Sequence, residues 1–240
     1  MQKRFPRLHH FLAARFNPAG IFGLHLSLGA LAMLAAGWGF GLLAHAVVAG
    51  APLTLLDVRL AIWFHHHAHS GWTPFMLFIT TWHQQAGILA MALVLALYLR
   101  AQGAYYWLLG LVLTVPGGML LNVLLKYTFH RARPSFDDPL VRLASYSFPS
   151  GHASGAALFY GFLAAYLVGV LAQTGARVVL LCAAAGMVAL VALSRVYLGA
   201  HYLSDVLAGV AFGAAWLALC ITAVSTFRRR RAARSFFTGE

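Results

Sequence analysis

Charged residues, and acidic residues above all, are scarce in this sequence. Only 9% of its 240 residues are charged, with 5 Asp and Glu against 17 Lys and Arg, whereas 61% are hydrophobic. The mean hydropathy is +0.78. Soluble domains do not have this composition, which is typical of polytopic membrane proteins. Because no cluster of carboxylates is present to hold a hard metal ion, we expect neither a metal nor another cofactor.

Cysteine is also rare, and the excess of basic residues has an ordinary explanation. Cys182 and Cys220 lie inside apolar runs, which argues against a disulfide or a zinc site and favours two small buried hydrophobic residues. The formal charge of +12 would suggest nucleic acid in a soluble protein. Here the basic residues sit mostly beside apolar runs, so lipid headgroups and membrane topology explain the charge better. We expect no nucleic-acid partner.

The apolar runs predict an all-α membrane protein with one bundle of six transmembrane helices. A single domain is expected over residues 1–240, since no long-period repeat or second domain is visible. Residues 55–72, with tryptophans and four histidines, predict an additional interfacial helix. The start of the second span is ambiguous, at 75 or 86, because Trp82-His83-Gln84-Gln85 interrupts it. The predicted spans cover about 21–49, 75–99, 105–125, 152–170, 178–193 and 206–224.

The distribution of basic residues predicts the orientation in the membrane. Six spans place both termini on one side, together with the basic N-terminal segment 1–19, Arg100, Arg177 and the basic tail 226–240. The positive-inside rule makes that side cytoplasmic, in the inner membrane, and the tail is expected to anchor to anionic lipids. The loops expected on the periplasmic side are 50–72, 126–151 and 194–204. The middle loop is basic too, against the rule, and a local function of its cations would explain the exception.

Three polar clusters are expected to converge on the periplasmic face, within a catalytic region over residues 126–205. Ionisable groups at the ends of membrane helices are costly and are usually functional or paired. The clusters are Lys126 with Arg133-Pro134 after a gap of six residues, then Pro149-Ser150-Gly151-His152, then Ser194-Arg195 with His201 and Asp205 at later positions.

The second cluster predicts a helix start that can bind an anion. Pro149 and Gly151 mark the beginning of the apolar helix that follows. A helix start offers free backbone N–H groups and partial positive charge, and Gly151 leaves them accessible. Ser150 adds a hydroxyl donor, and His152 can give or take a proton near neutral pH. The alternative interpretation is an ordinary helix cap.

The three fixed cations fit a phosphoryl group. Lys126, Arg133 and Arg195 can spread over its equatorial oxygens, with Ser150 and backbone N–H groups completing the cage. Such fixed cations would replace magnesium in the reaction.

The two histidines can divide the chemistry between them. His201 and Asp205 are four residues apart at a helix start, so we expect them to share a face. The carboxylate can hold one ring nitrogen protonated and leave the other as a nucleophile. His152, on a different helix, can protonate the departing alkoxide. The expected reaction forms a phosphohistidine, which water then hydrolyses to release inorganic phosphate.

The three clusters resemble, in spacing and order, the signature motifs of the type 2 phosphatidic acid phosphatase superfamily. The resemblance implies that His201 is the nucleophile, Asp205 its partner and His152 the acid, and that Ser194 supports the third motif structurally. The phosphate binders it implies are Lys126, Arg133, Ser150, Gly151 and Arg195. The same pocket occurs in vanadium haloperoxidases, which are usually soluble, so a membrane-embedded version favours a lipid phosphate held at the bilayer.

The implied function is hydrolysis of a lipid phosphomonoester or diphosphate, with a membrane lipid phosphate as partner. Undecaprenyl diphosphate, phosphatidylglycerol phosphate and phosphatidic acid are all compatible, with a weak preference for a polyprenyl diphosphate. A lipid A phosphatase or phosphotransferase of the same superfamily is an alternative. A non-catalytic lipid-phosphate binder or transporter is an alternative of another class, which would need the cations but not both histidines and Asp205. The sequence does not predict the oligomeric state.

Other polar residues at the membrane edge have simpler interpretations. Arg142 is expected to anchor at the interface, and His130 and Arg131 either anchor or contact a headgroup. His65 and His69 share a helix face at metal-ligand spacing, but with no nearby acid or cysteine a solvated interfacial cluster is favoured. Three further histidines, His25, His45 and His83, are expected to be packed or interfacial polar groups.

Overall fold

The computed structural model describes residues 15–17, 23–68, 71–141 and 143–238, and this part of the chain is helical without any strand. Its eight principal helices are α1 (Leu24–Val48), α2 (Pro52–His66), α3 (Thr73–Trp82), α4 (Gln85–Ala101), α5 (Tyr105–Phe129), α6 (Gly151–Val170), α7 (Thr174–Tyr197) and α8 (Leu203–Thr238). The predicted all-α fold is therefore confirmed, and the division into one domain stays a prediction. The N-terminal segment 1–14, His69 and Arg142 lie outside the described residues.

The helices give six candidate membrane spans. Helices α1, α5, α6, α7 and α8 are each long and apolar enough to cross a membrane. Helices α3 and α4 meet the same criterion together, bent by 53° at the break between them. The ambiguous second span corresponds to this bent pair, which starts at Thr73 and has the geometry of a broken span or a re-entrant loop. With five further candidate spans, the protein is a multi-pass membrane protein.

A buried histidine stabilises the break between α3 and α4. His83 Nδ1 donates to the carbonyl of Ile79 at 2.7 Å, and Nε2 lies 2.7 Å from the hydroxyl of Tyr160 on α6. Close approach also requires a glycine, because a Cβ added at Gly87 would lie 2.0 Å from the carbonyl oxygen of Trp82. His83 is therefore a packed polar group, as predicted.

Helix α6 lies at the centre of the bundle. Of its most apolar stretch 56% is buried, against 6% for α1 and for α7, which lie at the periphery. The main core forms where α6 packs on α4 and α5, with buried Ile88, Leu99, Leu111, Leu158 and Phe162. Central α6 therefore carries the second polar cluster into the middle of one end of the bundle.

Small residues bring the starts of α6 and α8 together. A Cβ added at Gly209 would lie 2.6 Å from the carbonyl oxygen of Ser150, and one at Gly213 would lie 2.8 Å from the Cβ of Ala157. The N–H of Ser150 donates to the carbonyl of Asp205 at 2.9 Å. These contacts join the second and third polar clusters directly.

Helix α1 packs along α8, and Gly29 lies at the contact. A Cβ added at Gly29 would collide with the side chain of Thr222, whereas Gly37, Gly39 and Gly41 have no atom within 4 Å of that position. The outer end of α1 holds the loop before α6 through Phe40, whose ring lies 5.9 Å from that of Phe148.

Two smaller predictions need correction. The helix expected over 55–72 is observed as α2, which begins and ends earlier, at Pro52 and His66, and its interfacial position stays a prediction. This helix carries the fully buried Asp57. Both cysteines are free, as expected, but only Cys220 is buried, whereas Cys182 is exposed on peripheral α7.

Candidate active site

A cavity of about 740 Å³ opens where α5 ends and α6 begins. Its walls include Lys126, Arg133, Gly151, His152 and His201, so residues from all three polar clusters meet there. None of the described residues that line this cavity is acidic. The two histidines therefore face one space rather than opposite sides of the bundle.

Lys126 is buried in the last turn of α5. Its Nζ donates to the carbonyl of Tyr146 at 2.6 Å and to that of Ser147 at 3.4 Å. The loop before α6 thus provides carbonyl dipoles that partly compensate the ammonium and aim it at the cavity.

Arg133 crosses the cavity and reaches His201. Its Nη1 donates to the carbonyl of Ala200 at 2.6 Å and lies 3.0 Å from His201 Nε2. Its Nε donates to the carbonyl of Ser145 at 2.6 Å, and Nη2 donates to the hydroxyl of the same residue at 3.0 Å. A guanidinium with five fixed donors is held in one orientation by such a set of acceptors.

The second cluster begins α6 as predicted, but its serine caps the helix. Ser150 is fully buried, and its hydroxyl accepts from the N–H of Ala153 at 3.5 Å. This is the alternative that the sequence left open, and Ser150 is not among the cavity-lining residues. Gly151 does line the cavity, and a Cβ added there would lie 3.3 Å from Asn122 Oδ1, so a larger residue would crowd this wall.

His201 and Asp205 lie close together, although not on one helix face. His201 precedes the first residue of α8, and Asp205 is in its first turn. His201 Nδ1 lies 3.5 Å from Asp205 Oδ2, which also accepts from the N–H of Tyr202 at 2.9 Å. The expected shared helix face is therefore wrong, but the tight turn before α8 produces the expected pairing.

Sequence reasoning missed Ser147, which completes this pair. Its hydroxyl donates to Asp205 Oδ2 at 2.5 Å and lies 3.3 Å from His201 Nδ1. An ionised carboxylate only accepts, so the Ser147 hydroxyl gives its proton to the bond with Asp205. The Ser147 oxygen can then only accept from His201, and Nδ1 must carry the hydrogen. The lone pair of the neutral ring is then on Nε2, which faces Arg133 and the cavity.

The surroundings of His201 keep it neutral. Its side chain is 1% exposed. Burial lowers the pKa of His201 well below its usual 6.5, and the charges of Arg133, Arg195 and Lys126 lower it further. At neutral pH the imidazole is therefore uncharged, as a nitrogen nucleophile must be.

Arg195 is buried in the last turn of α7 rather than on the cavity wall. Its Nη1 donates to the hydroxyl of Thr80 on broken-span helix α3, which sequence reasoning missed. Its charge nevertheless acts on His201 and on His152. Neighbouring Ser194 is buried and donates to the carbonyl of Val191 at 2.7 Å, consistent with a structural part in the third motif.

Arg131 faces inward and not toward a lipid headgroup. It donates to Asp205 Oδ1 at 2.5 Å and to Asp57 Oδ2 at 2.8 Å. Arg131 is therefore neither an interfacial anchor nor a headgroup contact, and its partner Asp57 was not predicted from the sequence. The sequence feature that could have indicated a role for Asp57 is the scarcity of acids, since the chain has only five. His130, by contrast, is exposed with a left-handed backbone, φ 49°.

The interfacial histidines have an acid nearby after all. His65 Nε2 lies 2.9 Å from Asp138 Oδ1, and its ring stacks on Phe136. The statement that no acid lies near this cluster is therefore wrong, because the loop after α5 folds over α2. No group of three or more potential metal ligands occurs among the described residues.

Comparison with known proteins places the chain in a family. A family model for the PAP2 superfamily, which comprises type 2 phosphatidic acid phosphatases, matches residues 105–229, more than half of the chain and all three polar clusters.

Similar curated proteins are bacterial lipid phosphatases. Phosphatidylglycerophosphatase B of Bacillus subtilis is 45% identical over 95 residues, which are 39% of this chain and 46% of the relative. Lipid A 1-phosphatase of Rhizobium johnstonii is 38% identical over 138 residues, 54% of this chain and 50% of the relative. The matched segments thus span about half of these relatives.

A solved structure extends the similarity beyond the motifs. The crystal structure of the transmembrane PAP2 type phosphatidylglycerolphosphate phosphatase from Bacillus subtilis aligns with a TM-score of 0.69 at 27% identity, covering 79% of this chain and 94% of that one. The family match, the order of the clusters and the helical architecture agree, and the chain belongs to the PAP2 superfamily.

Proposed function

We propose that the protein is an integral membrane lipid phosphatase that works through a phosphohistidine intermediate. The observation that carries the proposal is the cavity in which Lys126, Arg133, His152 and His201 meet, with no acid among the described residues that line it. Such a cavity attracts a phosphate dianion and offers it a neutral imidazole nitrogen.

In the first step His201 Nε2 attacks phosphorus. Arg133 lies 3.0 Å from this nitrogen and donates to its lone pair, so the guanidinium must transfer its hydrogen bond to a phosphate oxygen when substrate binds. Lys126, and the charge of buried Arg195, stabilise the negative charge of the pentacoordinate state. Asp205 and Ser147 hold the imidazolium that forms.

In the same step the P–O bond to the lipid breaks, and His152, which must be an imidazolium in the substrate complex, gives its proton to the departing oxygen. His152 then takes a proton from water, whose oxygen attacks the phosphohistidine. The products are the lipid alcohol and inorganic phosphate, and both histidines return to their starting states. Fixed cations provide the charge stabilisation that a magnesium ion supplies in other phosphoryl transfers.

The lipid substrate is proposed by class. The relatives are named for phosphatidylglycerophosphate and lipid A 1-phosphate, which are phosphomonoesters on a membrane lipid. The cavity lies next to the break between α3 and α4, with Gln84 and Gln85 on its wall, so a headgroup can enter sideways from the bilayer. Phosphatidylglycerol phosphate is the first candidate, with phosphatidic acid in the same class. Undecaprenyl diphosphate is a further candidate, for which the leaving group is undecaprenyl phosphate rather than the lipid alcohol. Lipid A 1-phosphate is the second candidate, on the Rhizobium similarity.

The proposed location is the inner membrane, with the active site on the periplasmic side. The basic residues of α8, Arg228 to Arg231, lie at the opposite end of that helix from Asp205, as the positive-inside rule requires for a cytoplasmic tail.

Phosphate release by the purified full-length protein tests the proposal. The panel comprises dioctanoyl phosphatidylglycerol phosphate, dioctanoyl phosphatidic acid, undecaprenyl diphosphate and lipid A. We expect His201→Ala to abolish turnover and His152→Ala to lower it roughly 10²–10⁴-fold, while both retain lipid binding. His45→Gln, which changes an exposed histidine on α1, is the control and keeps full activity.

Two further measurements separate the mechanism from its competitors. Activity is expected to survive EDTA and to be inhibited by vanadate, which imitates the pentacoordinate state. Normal turnover by His201→Ala would remove the nucleophile assignment. Lipid binding without phosphate release by the wild-type protein, on every lipid of the panel, would instead favour a non-catalytic binder.

A further inference from the structure

A buried chain of charges links helix α2 to the proposed nucleophile. Arg131 Nη2 donates to Asp57 Oδ2 at 2.8 Å, and Nη1 donates to Asp205 Oδ1 at 2.5 Å. Both carboxylates are fully buried. The guanidinium also lies over the ring of Tyr202, 4.5 Å from its centroid, which fixes the plane of the fork.

Asp57 additionally holds the start of α8. Its Oδ1 accepts from the N–H of Ser204 at 2.9 Å, and its Oδ2 accepts from the hydroxyl of the same residue at 2.5 Å. The first N–H groups of a helix lack partners within the helix, so Asp57 caps α8 from a different element. Asp205 is the next residue after Ser204, which means that the cap fixes the backbone that carries it.

Both carboxylate oxygens of Asp205 are held by hydrogen bonds. Its Oδ1 accepts from Arg131, and its Oδ2 accepts from Ser147 and from the N–H of Tyr202. The carboxylate cannot rotate without breaking one of these bonds. It therefore keeps Oδ2 toward His201 Nδ1.

We propose that Asp57 and Arg131 are positioning residues for the phosphatase reaction, which hold Asp205 in place and set how readily His201 takes up a proton. The proposal rests on the proposed function and deepens it. Asp57 lies outside the segment 105–229 that matches the family model, so its part in the site comes from the contacts of α2 alone.

The charge balance gives the proposal its direction. Arg131 shares one positive charge between two carboxylates, so the negative charge of Asp205 is only partly neutralised. Removing Arg131 leaves Asp205 fully negative and favours protonated His201. Removing the charge of Asp57 leaves Arg131 paired with Asp205 alone and favours neutral His201. Neither substitution alters the other charged and titratable groups that act on His201. These groups are Lys126 on α5, Arg133 on the loop, His152 on α6 and Arg195 on α7.

The test is the pH profile of kcat/KM for dioctanoyl phosphatidic acid in full-length Asp57→Asn and Arg131→Gln. We expect the acid limb to move up by about 0.5–1 pH unit in Arg131→Gln and down by a similar amount in Asp57→Asn. Arg131→Lys, which keeps the charge and loses the fork, is expected to lower kcat while its acid limb stays close to that of the wild type. Lost packing alone would lower the activity of both variants, but it would not move their acid limbs in opposite directions.

Matched controls remove single charges nearby. Asp137→Asn changes an exposed acid on the loop of Arg131, and Arg59→Gln changes an exposed cation on the helix of Asp57. Both are expected to keep the wild-type profile. If Arg131→Gln fails to fold, the nearly isosteric Asp57→Asn and the charge-preserving Arg131→Lys still decide the question.

Unmoved acid limbs in folded Asp57→Asn and Arg131→Gln would overturn the proposal and leave the phosphatase assignment intact. Movement of both limbs in the same direction would also overturn it. Failure of the proposed function looks different, since the wild-type protein itself would then release no phosphate from any lipid of the panel.

Discussion

At the residue scale, side chains rather than solvent compensate the charges of the site. Asp205 is fully buried and Arg195 is 2% exposed, yet each has a hydrogen-bond partner from another element. An unpaired buried charge costs several kcal/mol, so the ion pair of Asp205 with Arg131 stabilises the fold, whereas Arg195 donates to the neutral hydroxyl of Thr80. His201 is the exception, because it avoids the cost by remaining neutral.

The neutrality of His201 predicts the acid limb of the pH profile. Burial, together with the charges of Arg133, Arg195 and Lys126, lowers the pKa of His201 well below 6.5. A lower pKa keeps the nucleophilic neutral form at lower pH, so loss of kcat/KM on acidification is expected only below pH 6.5. A pH titration of the purified protein measures this limb. An acid limb at or above pH 6.5 that the ionisation of the substrate phosphate does not explain would contradict the assignment of His201 as a neutral nucleophile.

Ser147 predicts a defect in kcat rather than in binding. Its hydroxyl contacts Asp205 and His201 but is not on the cavity wall, so Ser147→Ala removes a charge-assisted hydrogen bond without touching substrate. Such bonds contribute about 1.5–3 kcal/mol, which corresponds to a loss of roughly 10- to 100-fold in kcat. Steady-state kinetics should show an unchanged KM. Ser135→Ala, at an exposed position on the same loop, is the control, and an equal loss in that variant would contradict a specific effect.

The sequence predicted residues that belong to spaced motifs and missed those that join the site through the fold. Lys126, Arg133, His152 and His201 follow from spacing at the ends of apolar runs, and the structure brings them to one cavity. Ser147 and Asp57 carry no such pattern, because their contacts depend on how the loop after α5 and helix α2 fold over α8. Ser150 shows the converse, since a serine before a helix fits both a cap and a phosphate ligand.

At the element scale, the close approach of α6 and α8 is what joins the clusters. Two glycines on α8 allow it, and the hydrogen bond from Ser150 N–H to the carbonyl of Asp205 fixes the relative height of the two helix starts. Neither helix could supply the site alone. Hydropathy predicted both helices, but it contains no information about which faces meet.

Gly209→Ala is expected to separate the two helix starts. The added Cβ would lie 2.6 Å from the carbonyl oxygen of Ser150 and 3.2 Å from the Cβ of Ala153, so α8 must shift. Overpacking of this kind costs about 1–3 kcal/mol. We expect a lower midpoint of thermal unfolding and a disproportionate loss of phosphate release.

Gly186→Ala is the matched control on α7, because no atom lies within 4 Å of its added Cβ. It should leave both thermal unfolding and turnover near wild type. Equal behaviour of the Gly209 and Gly186 variants would show that the α6–α8 contact does not depend on a missing side chain.

At the scale of the whole molecule, the bundle has two chemically different ends. The cavity and its buried charges lie where α5 ends and α6 and α8 begin, and the arginines of α8 lie at the other end. Composition and hydropathy predicted this division, including six spans. The sequence also located the interruption of the second span, at residues 82–85, but it did not predict the 53° bend there, which depends on the buried contacts of His83 with Ile79 and Tyr160.

The proposed orientation predicts which positions can be labelled from outside the cell. In a background with both cysteines replaced by alanine, Asp137→Cys lies on the loop above the cavity and Gly175→Cys lies at the opposite end of the bundle. A membrane-impermeant maleimide should label the first in intact cells and the second only after permeabilisation. The reverse pattern would place the active site on the cytoplasmic side, and phosphate release by each variant shows that labelling reports on folded protein.

One continuous helix, α8, carries Asp205 near one end and the arginine cluster near the other. From Asp205 to Arg228 such a helix is about 35 Å long, close to the hydrocarbon thickness of about 30 Å in a typical bilayer. If the arginines bind the headgroups of one leaflet, the length of α8 sets the depth of the proposed nucleophile, His201, in the opposite leaflet. We expect turnover to depend on the acyl-chain length of the surrounding lipid, because hydrophobic mismatch shifts the cavity end of the bundle along the bilayer normal, relative to the lipid phosphates.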